Sequence, residues 1–219
     1  MKQVRPKICA VITSSDMKRI REVEGLVDLF ELRLDLLGDN WPEVARTIEI
    51  PWMATNRLKD QGGGWLKSEE ERKEELIKAS NLGASLVDIE IESPEIAPFV
   101  SLVKKKAKCI ISYHNLTTTP ALNELTEIAR KEFLLGADIG KVVTRAGCLE
   151  DNLKVLELLS HFDHLISFAM GEAGLLSRLI SPLVGGEFTY ASLSEEAASA
   201  PGQPTVEEVL RFYELLGRR

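Results

Sequence analysis

The sequence predicts an α/β protein, a (β/α)₈ TIM barrel, on three observations: eight short apolar runs suited to strands, helical patterns between most of them, and glycines where helices give way to strands. The runs span 8–12, 29–34, 52–55, 86–91, 109–113, 139–144, 164–169 and, more weakly, 188–191. They are rich in β-branched residues, as strands are. Segments 68–83, 119–136 and 149–162 repeat leucine and isoleucine at three- and four-residue spacing, which is helix periodicity. Strands alternating with helices pair in parallel through crossovers. Gly83 and Gly136 follow the last apolar position of their helices, where a left-handed cap is expected, and each leads directly into the next strand. Eight such units in 219 residues suit one compact barrel domain over 1–219, an architecture that usually takes about 250 residues. A doubly wound open sheet could use the same units and is the structural alternative.

With 44% hydrophobic and 28% charged residues, the composition is that of a globular chain. No long apolar run argues for a membrane span, and the amino-terminal stretch turns charged without a cleavage site, so a soluble, cytoplasmic protein is expected. The net charge is −7, with basic residues interleaved among acids rather than gathered in a stripe, which argues against a nucleic-acid partner. Cys9, Cys109 and Cys148 are odd in number and lack CxxC spacing, so neither a disulfide framework nor a zinc site is suggested. Each is expected to pack as a small hydrophobe. The GGG at 62–64 reads as a flexible loop and not as a dinucleotide-binding fingerprint. A small-molecule substrate or a protein partner remains. One chain leaves the oligomeric state open, a homodimer included.

In a barrel, charge inside a strand pattern marks the mouth at the carboxyl ends of the strands. Glu31, Arg33 and Asp35 alternate with Leu32, Leu34 and Leu36, which puts the three charges on one strand face. Ionisable groups facing a lumen are costly unless they pair or hold a ligand. Lys141 stands among Ile139, Val142 and Val143. Desolvation disfavours a lysine's charged form, and a neutral lysine is a nucleophile toward ketones. Snorkelling to solvent is the plain alternative. His114 ends the apolar run CIISY one unit earlier, so adjacent strands bring a proton-transfer residue beside the amine. His161 and His164 fall at a helix end and the following turn, where surface roles are expected. Arg57 lies just past the third strand and Arg178 past the seventh, and guanidinium groups recognise carboxylates through paired hydrogen bonds. SAPGQPT, 199–205, is a turn in which Ser199 and Gln203 can hydrogen-bond a ligand.

Together FELRLDLL, ISYHN, LGADIGKVV, LLSRL and SAPGQ, in that order, resemble the type I 3-dehydroquinate dehydratase family through nearly the whole chain. The resemblance implies an imine between Lys141 and a substrate ketone, proton transfer by His114, and a ring carboxylate on Arg178. It also implies that Glu31, Arg33 and Arg57 hold ring hydroxyls, that Ser199 and Gln203 belong to a covering loop, and that no metal or organic cofactor takes part. The substrate implied is 3-dehydroquinate, in the shikimate pathway of aromatic amino acid biosynthesis. Two departures stand out: Gln61 occupies a place where many members carry glutamate, and Val11 stands where some have a substrate-contacting serine, leaving Thr13 and Ser14 as nearby substitutes. A class I aldolase with a phosphate site at Gly185 and Gly186 is the nearest rival, and a non-catalytic interaction domain on the same fold is another.

Overall fold

The computed structural model describes residues 5–218, so the first four residues and the last of the expected 1–219 domain lie outside the described residues. Eight strands form one parallel sheet: β1 Ile8–Ile12, β2 Leu29–Arg33, β3 Trp52–Thr55, β4 Leu86–Glu90, β5 Lys108–His114, β6 Ile139–Arg145, β7 Leu165–Met170 and β8 Thr189–Ser192. The sheet runs β7-β6-β5-β4-β3-β2-β1-β8. Each strand therefore neighbours its sequence neighbours, and β8 returns to β1, with Ile8 opposite Thr189 and Val11 opposite Ser192. This is a (β/α)₈ barrel closed on all sides but one. Between β7 and β8 no ladder forms among the described residues. The gap is bridged by Glu187 donating its backbone N–H to Leu165 O at 3.1 Å and by Phe168 against Tyr190, ring centroids 6.0 Å apart.

Helices among the described residues are α1 Met17–Glu24, α2 Leu34–Leu37, α3 Trp41–Ala45, α4 Glu69–Asn81, α5 Ile96–Val103, α6 Leu122–Leu134, α7 Asp151–Leu158, α8 Leu175–Ile180 and α9 Val206–Leu215. None is long and apolar enough to cross a membrane. Local sequence sets the boundaries. Ser68 and Glu71 form a reciprocal capping box at the start of α4, as Thr205 and Glu208 do at α9. Gly83 and Gly136 have φ of 103° and 97°, the left-handed conformation expected after α4 and α6. Strand side chains alternate between two cores. On β1, Ile8, Ala10 and Ile12 join the large cluster under the helices, while Cys9 and Val11 join Met53, Ile110, Ile139, Ile166 and Phe188 in the lumen.

Three expectations are corrected. β2 stops at Arg33, and the chain winds into α2, so Asp35 is not on the strand face and Leu36, 44% exposed, is not part of an apolar one. Asp35 still reaches Arg33, because a helical turn brings it back alongside. Cys9 and Cys109 pack inside as expected, but Cys148 is exposed on the loop after β6. The glycine segment is tied down instead of loose: Gly63 donates to Leu58 O at 2.8 Å, Gly64 to Asp35 Oδ2 at 2.8 Å, and Trp65 to Arg57 O at 3.1 Å.

A Cβ on Gly63 would lie 2.0 Å from the Arg57 carbonyl oxygen. Gly63→Ala is therefore expected to cost about 1–3 kcal/mol, as overpacking does, seen by calorimetry as a fall in melting temperature of roughly 2–4 °C per kcal/mol for a chain this size. An unchanged melting temperature would show that the turn is not packed on Arg57.

Candidate active site

Period-two alternation delivers the site. Glu31 and Arg33 come from β2, Asp88 and Glu90 from β4, Ser112 and His114 from β5, and Lys141 from β6. In the ladder Ser112 sits opposite Lys141 and His114 opposite Val143, so the histidine stands one inward position further toward the mouth on the adjacent strand. All eight residues expected at the site, Glu31, Arg33, Arg57, His114, Lys141, Arg178, Ser199 and Gln203, line one cavity of about 270 Å³, a space for one small ligand. Arg178 follows the glycine-containing segment after β7, as its sequence position suggested. It lies on α8, buried, with its guanidinium 4.4 Å from the Phe168 ring centroid and its carbonyl accepting from Thr189 Oγ1 at 2.7 Å.

The cations divide into paired and unpaired. Lys141 Nζ donates to Asp88 Oδ2 at 2.9 Å and sits 4.5 Å from the centre of the Tyr190 ring. Arg57 donates to Asp88 Oδ1 at 2.7 Å and Ser112 Oγ at 2.9 Å, and pairs with Glu90 Oε1 at 2.9 Å. Arg33 is forked onto Asp35 at 2.9 and 2.6 Å. Glu31 accepts from Thr55 Oγ1 at 2.7 Å. Of the four buried cations lining the cavity, only Arg178 has no carboxylate partner among the described residues, and its Nη2 makes no hydrogen bond. Burial without a counterion pulls its pKa down to about 10, against smaller opposing effects of Tyr190 and Glu31. A guanidinium buried in this way can receive an anionic group.

The same field acts on the acids and the base. Burial by itself would raise the Asp88 carboxyl, but Arg57 and Lys141 outweigh it and hold the group far below the usual carboxylate range. His114 is pushed the other way: burial first, then the positive charges of Arg57 and Lys141, hold its pKa well below the ordinary imidazole value. The ring is therefore neutral near pH 7, and its buried Nδ1 has no partner among the described residues.

Several residues do not match their expected places. Thr13 bonds Ala197 O at 3.3 Å and Ser14 is exposed, and neither lines the cavity. Gln61 does line it, with Nε2 3.4 Å from Glu92 Oε2 and a buried Oε1 left without a partner. Gly185 and Gly186 precede β8, at the end of the barrel opposite the cavity, so the rival phosphate site has no access to Lys141. β7 begins at Leu165, and His164, at φ 57°, turns outward to Glu187. Asp88, Glu90, Ser112 and Tyr190 were not singled out by sequence. LVDIE carries its carboxylates at alternate positions just as FELR carries its charges, and that signal was available for Asp88 and Glu90.

The sign of one pH effect follows. With its folded-state pKa depressed, His114 leaves the folded protein binding fewer protons than the unfolded chain once pH drops through about 6.5, so stability present above that value is lost as pH falls. His114→Asn removes the effect. The melting temperature of the variant is expected to decline less steeply below pH ~6.5 than that of the parent, and parallel declines would mean the imidazole titrates normally.

The sequence matches the family described as type I 3-dehydroquinase over residues 8–219. It is 39% identical over 211 residues to the 3-dehydroquinate dehydratase of Dehalococcoides mccartyi, covering 95% of both chains. To the 3-dehydroquinate dehydratase of Methanococcus maripaludis it is 35% identical over 218 residues, covering 95% of this chain and 99% of the relative. Among solved structures, the type I 3-dehydroquinate dehydratase of Clostridium difficile with covalently modified comenic acid is similar at a TM-score of 0.86 and 27% identity, over 98% of this chain and 93% of that one. A barrel of matching topology, a match from the first strand to the end of the chain, and relatives similar along their whole length lead to one assignment: the chain belongs to the type I 3-dehydroquinase family, whose members are hydro-lyases.

Proposed function

We propose that this chain acts as a single catalytic barrel that dehydrates 3-dehydroquinate to 3-dehydroshikimate in the shikimate pathway, through an imine on Lys141. The observation that carries the reading is the shared cavity: an amine, a neutral imidazole on the neighbouring strand, and one buried guanidinium without a counterion. Arg178 takes the ring carboxylate through paired hydrogen bonds, and that contact orients the ketone toward Lys141 Nζ. Ser199 and Gln203 close over the ligand from the loop, where Gln203 Oε1 already accepts from Ser199 N and Oγ at 2.7 and 2.9 Å.

Lys141 gives up one ammonium proton and its amine attacks the ketone carbon. That proton leaves in the water expelled from the carbinolamine, so overall ammonium plus ketone becomes iminium plus water. Arg57 stays paired with Asp88 whenever the lysine nitrogen is uncharged. The iminium withdraws electrons from the adjacent carbon, and neutral His114 takes its proton. The electron pair then expels the hydroxyl, to which His114 returns the proton as water leaves. Hydrolysis consumes one water and frees Lys141, for a net loss of one water. Glu31, Arg33 and Arg57 line the cavity and hold ring hydroxyls, the two arginines while keeping their carboxylates and Glu31 through its second oxygen.

Intact-mass analysis after borohydride treatment with 3-dehydroquinate tests this. The parent is expected to gain the mass of the reduced adduct, and Lys141→Ala to gain none and to lose nearly all dehydration. His114→Ala should still be trapped but release no product. Dehydration by Lys141→Ala at the parental rate would end the imine assignment.

Arg178→Lys replaces a fork by a single point charge, with an expected loss in kcat/KM of about 1–3 kcal/mol. Parental kinetics in that variant would remove Arg178 from the site.

A further inference from the structure

Helix α6 buries Leu125, Ala129 and Glu132 on one stripe, spaced four and three residues apart. A carboxyl thus occupies the place where an apolar side chain belongs, and it is fully buried. Burying such a group without compensation is costly. The compensation is directed at one atom: Glu132 Oε2 accepts the backbone N–H of Lys141 at 2.9 Å, across the outer face of β6. Its Oε1 has no partner among the described residues. Burial, only partly offset by that N–H, holds the carboxyl's pKa well above the ordinary value.

The neighbouring residue is fitted to the same contact. A Cβ on Gly140 would lie 2.8 Å from Glu132 Oε2, 2.9 Å from Leu165 Cδ1 and 3.2 Å from Phe133 Cε2. Any larger side chain at 140 pushes the carboxyl off the Lys141 amide. Lys141 is thereby held at both ends. Its ammonium is fixed by Asp88 and the Tyr190 ring inside the barrel, and its peptide by Glu132 outside.

We propose that Glu132, with the space left by Gly140, is a positioning residue that fixes the backbone of Lys141 and so the approach of its Nζ to the substrate ketone. The inference rests on the imine reading given above. Glu132 touches neither substrate nor reacting atoms and lies outside the cavity lining. Its effect is therefore on the placement of the nucleophile and not on the affinity of the ligand.

The test measures the rate of borohydride-trapped adduct formation in single turnover with 3-dehydroquinate, together with kcat, KM and melting temperature, for the parent, Glu132→Gln, Glu132→Ala, Gly140→Ala and the double variant. Glu132→Gln keeps the acceptor oxygen and is expected to stay within about 2-fold of the parent. Glu132→Ala and Gly140→Ala are expected to slow adduct formation and kcat on the order of 10- to 100-fold, the scale of an ångström-sized misplacement, with KM changed far less. In the double variant the contact with Oε2 is gone and only Leu165 Cδ1 and Phe133 Cε2 remain to give way, so the two losses should be far less than additive. Adduct formation at the parental rate in Glu132→Ala, or equal impairment of the glutamine and alanine variants, overturns the proposal. If Glu132→Ala does not fold, a parental rate in Gly140→Ala does the same. A parent that yields no adduct removes the imine reading and this inference together, whereas a trapped parent with an equally fast Glu132→Ala removes the inference alone.

Discussion

Asp88 is the constraint around which the lumen is organised. One buried carboxylate accepts from Lys141 and Arg57 and from the Ser112 hydroxyl between them. Arg57 shares its second contact with Glu90, Glu90 is held in turn by Arg72 at 2.5 Å, and Arg72 ends on Glu69 at the start of α4. The chain of alternating charge runs from Lys141 to the outer helices with no isolated ion along it. That continuity matters because breaking a buried pair by removing one partner costs about 3–5 kcal/mol, while an intact pair roughly offsets its own desolvation. The network is not a large source of stability. It fixes where positive charge can stand, and leaves Arg178 as the buried cation with a vacant side.

The strands were legible because a parallel barrel buries both strand faces, so each run is apolar enough to stand out between helices. β1 and β3 run as the sequence suggested, while β2 stops one residue early because Leu34 already enters a helical turn. Lys141 and His114 were legible for a related reason: a charged or titratable group inside such a run has no cheap alternative to facing the lumen. Arg178 was named from its place past the seventh strand but stood out only beside the other residues, since a helix residue after a loop carries no periodic signal of burial. The pairing of Arg57 was not legible at all. Its partners come from strands 31 and 55 residues away in sequence, and register across three strands is a property of the closed sheet, not of any segment.

Glu132 teaches the converse lesson. Helical periodicity marks its position as core, and a glutamate there reads as an error in the pattern until the strand it lies on is known. The GGG looked like slack chain, yet the Gly63 and Gly64 amides donate to Leu58 O and Asp35 Oδ2, and the next amide, of Trp65, to Arg57 O. In both cases composition describes a residue's average behaviour, and the close approach of a second backbone decides its actual one.

The open side between β7 and β8 bears on how a ligand enters and leaves. α8, with Arg178, follows β7, and the 199–203 loop follows β8, so the elements assigned to the carboxylate and to the cover stand on the two banks of the gap. The two banks meet through separate single bonds: Thr189 Oγ1 donating to Arg178 O at 2.7 Å, Gly171 donating to Pro201 O at 3.2 Å, and Tyr213 of α9 donating to Leu179 O at 3.1 Å. Every other pair of neighbouring strands is held by a full ladder. Motion at the gap breaks single bonds where motion elsewhere must break several together, so the barrel has a compliant quarter and a stiff remainder. Lys141 and His114, the proposed nucleophile and base, stand on β6 and β5, in the stiff part, while Arg178, proposed to take the ligand's anion, stands in the compliant part. Capture and release can then proceed by breathing of one bank, with the reacting groups left undisturbed.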